Sequence, residues 1–341
     1  MRISVGLILG TMCGATARAQ SFTSQRFDIG GQGFFDYLSV DTATGRVFVS
    51  RGTHIQVVDG ATGKQVGDIP NTPRTHGALI VNATNHGFTT NGGDSTSTMF
   101  DLGSLAIIKQ IHTGASGLDG FMYDDATNKV LTIDHSRPNG TAVVIDAATG
   151  DVAGLVTTTG DAPEGGVSDG KGRIFINLED KGAMDVVDDH TWKVVNTWSI
   201  APCRTPTGIA MDRASNRIFV GCSDTSVVVD AGTGKVVAKI AAGGGVDGMG
   251  FDPSQKLLYI PSGAAGTVTV VHEDTPDKYT VLSTVPTMRG ARTIAVDEKR
   301  HVAYVFTPEF EPAAAGATPP PGGRGPARGP QIAAWLYVVK H

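Results

Sequence analysis

Between Thr207 and Gly243 the chain runs TGIAMD, a turn (RASN), RIFVGC, a short loop, SVVVDAGTG and KVVAKIAAG. These are four short runs rich in Val and Ile, residues whose branched side chains suit a pleated strand. Each run is closed by Gly, Asn, Asp or Ser, which supply turn geometry. The same grammar returns along the whole sequence at a period of about 40–45 residues, the length of one propeller blade. It predicts an all-β fold: a seven-bladed β-propeller with four antiparallel strands per blade.

The innermost strands of the seven blades start at Asp36-Tyr37, His76-Gly77, Asp119-Gly120, Glu164-Gly165, Thr207-Gly208, Asp247-Gly248 and Arg292-Thr293. The seventh blade runs out of chain after three strands, at His341. A spare strand, SQRFDIG (Ser24 to Gly30), stands at the other end. The reading is that this N-terminal strand completes the C-terminal blade and closes the ring, which removes open sheet edges. A Pro/Gly-rich segment, 308–330, interrupts blade seven between its second and third strands. Pro and Gly oppose a ladder, so it is read as a flexible loop carrying Arg324 and Arg328. On the blade plan it overhangs the channel mouth, or it is a neutral insertion.

Composition narrows the setting. With 45 Gly and 18% charged residues in 341, the chain is turn-rich and has no long helical period. Net charge is −5, with no basic run, which argues against nucleic acid and anionic membrane as partners. Arg2, the apolar run ISVGLILG and Ala17-Arg18-Ala19 follow the order of a secretory signal peptide spanning residues 1–19, with cleavage before Gln20. The apolar run is too short to span a bilayer. The expected location is therefore periplasmic or extracellular, with 20–341 forming one propeller domain and the chain a monomer. An oxidising compartment permits a bridge between Cys203 and Cys222. They lie before the first strand and at the end of the second strand of one hairpin.

The segments RVFVSRG, RIFINLE, RIFVGCS and LLYIPSG, with VVDGATGKQV, VIDAATGDV and VVDAGTGKVV, resemble the YVTN family of β-propeller repeats. The resemblance covers essentially the whole mature chain and implies architecture rather than chemistry. It points to surface-layer and periplasmic proteins, and more distantly to lactonases and propeller domains of redox enzymes. The Asp-x-x-Thr-Gly phrases beginning at Asp59, Asp146 and Asp230 read as tight turns between third and fourth strands. Asp41, Asp124, Asp169, Asp212, Asp252 and Asp297 read as turn caps at the ends of first strands.

One aligned position is chemically loaded. Just before the recurring Gly it holds Asp36, His76, Asp119, Glu164, Thr207, Asp247 and Arg292, all facing the mouth of the central channel. Asp36, His76, Asp119, Glu164 and Asp247 form a candidate metal set; oxygen donors favour calcium or magnesium, and imidazole moves the choice toward zinc, manganese or iron. A carboxylate with His76 could instead serve as general acid and base on a substrate paired with Arg292. A solvated polar channel mouth is the plain alternative. His54 and His135, in loops after second strands, read as surface residues. No H-E-x-x-H, G-x-S-x-G, P-loop or C-x-x-C-H is present. The leading expectation is a small molecule or protein partner bound at the channel mouth. The alternative is a periplasmic hydrolase or lyase, lactonase-like on the resemblance, using the acidic ring with or without a divalent cation (calcium, magnesium or zinc).

Overall fold

The computed structural model describes residues 21–135, 137–138, 140–318 and 327–341. The expected signal peptide and Arg324 lie outside them. The described strands form seven four-stranded antiparallel sheets arranged as propeller blades. The innermost strands are Leu38–Asp41, Thr75–Val81, Leu118–Asp124, Pro163–Ser168, Ile209–Asp212, Gly250–Asp252 and Ile294–Asp297. No helix among the described residues is long and apolar enough to cross a membrane. The N-terminal strand Thr23–Asp28 pairs with Gln331–Lys340 as the outermost strand of blade seven.

Period-2 alternation fixes how blades pack, because successive side chains of a strand point to opposite sheet faces. In the second strand of blade one, Val47 and Val49 pack toward blade seven against Phe306 and Leu336. Phe48, between them, packs toward blade two with Ala78 and Phe100. The same division gives Ile218 and Val220 to blade four and Phe219 to blade six. Each of the seven blade interfaces thereby has its own apolar core.

The turn aspartates bond as their spacing suggests. Asp41, Asp124, Asp169, Asp212, Asp252 and Asp297 accept bonds from backbone N–H groups two or three residues on, at 2.7 to 3.2 Å. Cys203 and Cys222 form a disulfide. The insertion of blade seven begins later than its composition suggests. Pro308, Glu309 and Phe310 extend the second strand, with Pro308 opposite Ala334. A proline is tolerated there because pairing with the inner strand ends at Val305, so no ladder bond is lost on that side. Arg328 lies 4.9 Å over the Phe310 ring.

Candidate functional site

The aligned ring forms where the innermost strands enter the channel. In blades two, three and four the strand register shifts at this point, between Thr75 and Gly77, Leu118 and Phe121, and Pro163 and Gly166. A bulge re-aims the side chain it carries, and the residues inside these three are His76, Asp119 and Glu164. The glycines that follow are set by close approach. A Cβ on Gly120 would sit 2.2 Å from the Glu164 carbonyl oxygen, and one on Gly165 2.8 Å from that of Thr207. Neighbouring inner strands thus meet backbone to backbone, which narrows the channel and brings the ring residues together.

Asp36, His76 and Glu164 are each less than one-tenth exposed. His76 Nδ1 lies 2.8 Å from Asp36 Oδ2 and 3.0 Å from Asp119 Oδ1. Arg292 binds Asp247 through Nε and Asp36 Oδ1 through Nη2, the latter at 3.0 Å. Phe34 sets its ring edge against His76 at 5.4 Å, and Arg292 lies 5.4 Å over the ring of Phe35. Thr207 donates its hydroxyl to the Val246 carbonyl and takes no part in the charged network.

Two members of the site escaped the sequence reading. His135 is not a surface residue: its Nδ1 lies 2.8 Å from Glu164 Oε2 and 3.8 Å from Asp119 Oδ2, and its Nε2 lies 3.4 Å from Glu179 Oε2. Its loop follows the second strand of blade three, and folding turns that loop inward over Asp119. Tyr37 stands where five blades have Gly and donates its hydroxyl to Glu164 Oε1 at 3.0 Å. His54 does remain peripheral, 3.7 Å from Asp68. Arg51, also near this face, is buried with its guanidinium 5.0 Å over the Phe306 ring. Burial pushes its pKa down to about 10.

Charge opposes burial at the two imidazoles and at Asp119, and reinforces it at Glu164, Asp247 and Tyr37. Burial disfavours a charged His76, but the Asp119 and Asp36 carboxylates outweigh it and raise the imidazole to about 10. Asp119 and Glu164 raise His135 to about 10 against burial. Burial also works against an ionised Asp119, yet the two imidazoles hold its carboxyl well below the usual carboxylate range. Glu164 is pushed up to about 8 by burial and by the charge of Asp119. Burial and Asp36 lift Asp247 to about 6 despite Arg292. Burial, then the surrounding carboxylates, raises Tyr37 well above its usual value. As the ring stands, protonated imidazoles and Arg292 supply positive charge to the clustered carboxylates.

Among the described residues, two sets of donors converge closely enough to hold a metal ion: Asp36, His76 and Asp119, and Asp119, His135 and Glu164. Asp247 stands outside both, because Arg292 occupies it. Next to the ring the channel widens into a cavity of about 130 Å³ lined by Tyr37, Phe121, Thr207, Asp247, Met249 and Ile294. Sites for drug-sized ligands run to about 300 Å³ or more, so this space suits an ion with its water. A cavity of about 150 Å³ by Phe27, Arg300 and Tyr304 lies at the outer strands, away from the ring.

No family model and no curated protein matches the chain. Among solved structures it is similar to a chain of Kuenenia stuttgartiensis hydrazine synthase, at TM-score 0.71 and 16% identity. The match covers 87% of this chain and 96% of that one. At that identity the likeness concerns the fold, and the fold it shares with this chain is the β-propeller.

Proposed function

We propose that this chain is an exported propeller of YVTN type that binds a small cationic ligand, a divalent metal ion, at its channel mouth. The observation that carries this reading is the inward convergence of carboxylate oxygens from Asp36, Asp119 and Glu164 on two imidazole nitrogens. Each Nδ1 carries at most one proton and faces two carboxylates, so hydrogen bonds alone leave the set under-served. The depth of the ring favours an ion over a protein partner, whose side chains could not reach donors so enclosed. The mix of imidazole and carboxylate favours manganese, iron or zinc. Export draws on the leader sequence and on the Cys203–Cys222 disulfide, which suits an oxidising compartment. A hydrolase or lyase using Asp247 beside the cavity is the second reading, and it depends on the same cation.

The test is thermal melting of chelator-treated protein with increasing Mn²⁺. A ligand that binds only the native state stabilises it by about 2.7 kcal/mol at a hundred times its Kd. The wild type is expected to melt progressively higher as Mn²⁺ is added, and Asp119→Asn to show little or no rise. An equal rise in both proteins, or none in the wild type, overturns the proposal.

A further inference from the structure

We propose that the channel mouth holds two divalent cations bridged by the Asp119 carboxylate, one seated by Asp36 and His76 and the other by His135 and Glu164. This rests on the reading of the mouth as a cation site and goes beyond it in number and arrangement. Asp119 turns its two oxygens to different imidazoles, Oδ1 to His76 at 3.0 Å and Oδ2 to His135 at 3.8 Å. In each set the donor atoms lie within 4.8 Å of one another. A carboxylate placed this way can give one oxygen to each ion of a pair, and such pairs sit about 3.5–4 Å apart.

Three outward-facing atoms of the same residues are already engaged. Arg292 holds Asp36 Oδ1 at 3.0 Å, Tyr37 donates to Glu164 Oε1 at 3.0 Å, and Glu179 lies 3.4 Å from His135 Nε2. Groups that bind a metal are commonly oriented by such outer partners, the imidazole by a carboxylate on its far nitrogen above all. What remains inward is Asp36 Oδ2, His76 Nδ1, both Asp119 oxygens, His135 Nδ1 and Glu164 Oε2.

An independent observation points into the second set. The Glu164 side chain is 8% exposed, and its Oε2 lies 2.8 Å from His135 Nδ1. By hydrogen-bond geometry that oxygen nevertheless has no partner among the described residues, and neither has Asp119 Oδ1. A buried carboxylate oxygen without a donor is costly, and a cation in each set would take up one of the two.

Spacing and charge agree. An octahedral ion with ligands at about 2.1 Å places adjacent donors about 3.0 Å apart. The first set shows 2.8 and 3.0 Å between neighbouring donors. The second, at 2.8 and 3.8 Å, is more open and leaves room for water or a small anion. With the imidazoles neutral, two divalent cations and Arg292 balance the carboxylates of Asp36, Asp119, Glu164, Glu179 and Asp247.

The test is to load chelator-treated protein with Mn²⁺, count bound metal by equilibrium dialysis, and record its electron paramagnetic resonance spectrum. The expected result is two Mn²⁺ per chain with an exchange-coupled spectrum. Glu164→Gln is expected to bind one and give the six-line pattern of an isolated ion. One Mn²⁺ per wild-type chain overturns the pair and leaves the single-cation reading standing. Two uncoupled ions overturn the bridge through Asp119. None overturns both the pair and the cation site.

Discussion

Glu273 ends up 1% exposed in the third strand of blade six, with no hydrogen-bond partner for Oε2 among the described residues. Burial, helped by nearby Asp212, raises its pKa from 4.5 to about 7. The native protein therefore keeps a proton that the unfolded chain releases within that window. The stability Glu273 contributes below pH 4.5 is lost as pH rises through about 7. Glu273→Gln removes the charge while keeping the shape. It is expected to melt higher than wild type at pH 8 and no higher at pH 4.5; a variant that melts lower at pH 8 contradicts this account. At the channel mouth, alignment of the repeats picks out the ring residues because each precedes the constricted Gly position. Tyr37 carried a signal there that was passed over, a bulky aromatic in a column where five blades have Gly. His135 was not, because nothing in loop spacing says which way a loop turns.

Among the elements, the hairpin turns show how one blade depends on the next. Asp59 accepts from Thr62 N at 2.8 Å and from the Thr62 hydroxyl at 2.7 Å, and Gly63 follows at φ 69°. A Cβ on Gly63 would meet Phe27 Cβ at 2.4 Å, so the closing N-terminal strand lies directly on the turn of blade one. Gly234 makes the same room for Trp198, at 2.4 Å, which accounts for that tryptophan as packing. Gly63→Ala combines a left-handed backbone with a clash against a covered side chain. It is expected to cost about 1–3 kcal/mol, read as a lower midpoint in urea; an unchanged midpoint would show that Phe27 does not hold the turn. The sequence marked three such turns by their Gly. Blades two and four form them too, at Asp101 and Asp188 with Ser104 and Thr191. There the left-handed positions hold Leu105 and Trp192 at φ 62° and 57°. Both side chains pack onto interblade cores, which offsets the strain and hides the turn from a search for Gly.

At the scale of the molecule, seven self-similar blades with a core at every interface make the fold legible from one repeat. Ring closure was legible from a strand left over at each end. The site is a different matter, since six of the blades give it one or two side chains each and its chemistry exists only once the ring closes. Blade seven supplies Arg292, blade six Asp247, and blades one to four the carboxylates and imidazoles. The central claim is that this convergence holds divalent cations. Anomalous scattering from crystals soaked in Mn²⁺ tests it most directly. The account predicts a pair of peaks flanking Asp119, within reach of His76 on one side and His135 on the other. Peaks confined to surface aspartates, with none in the ring, would contradict it.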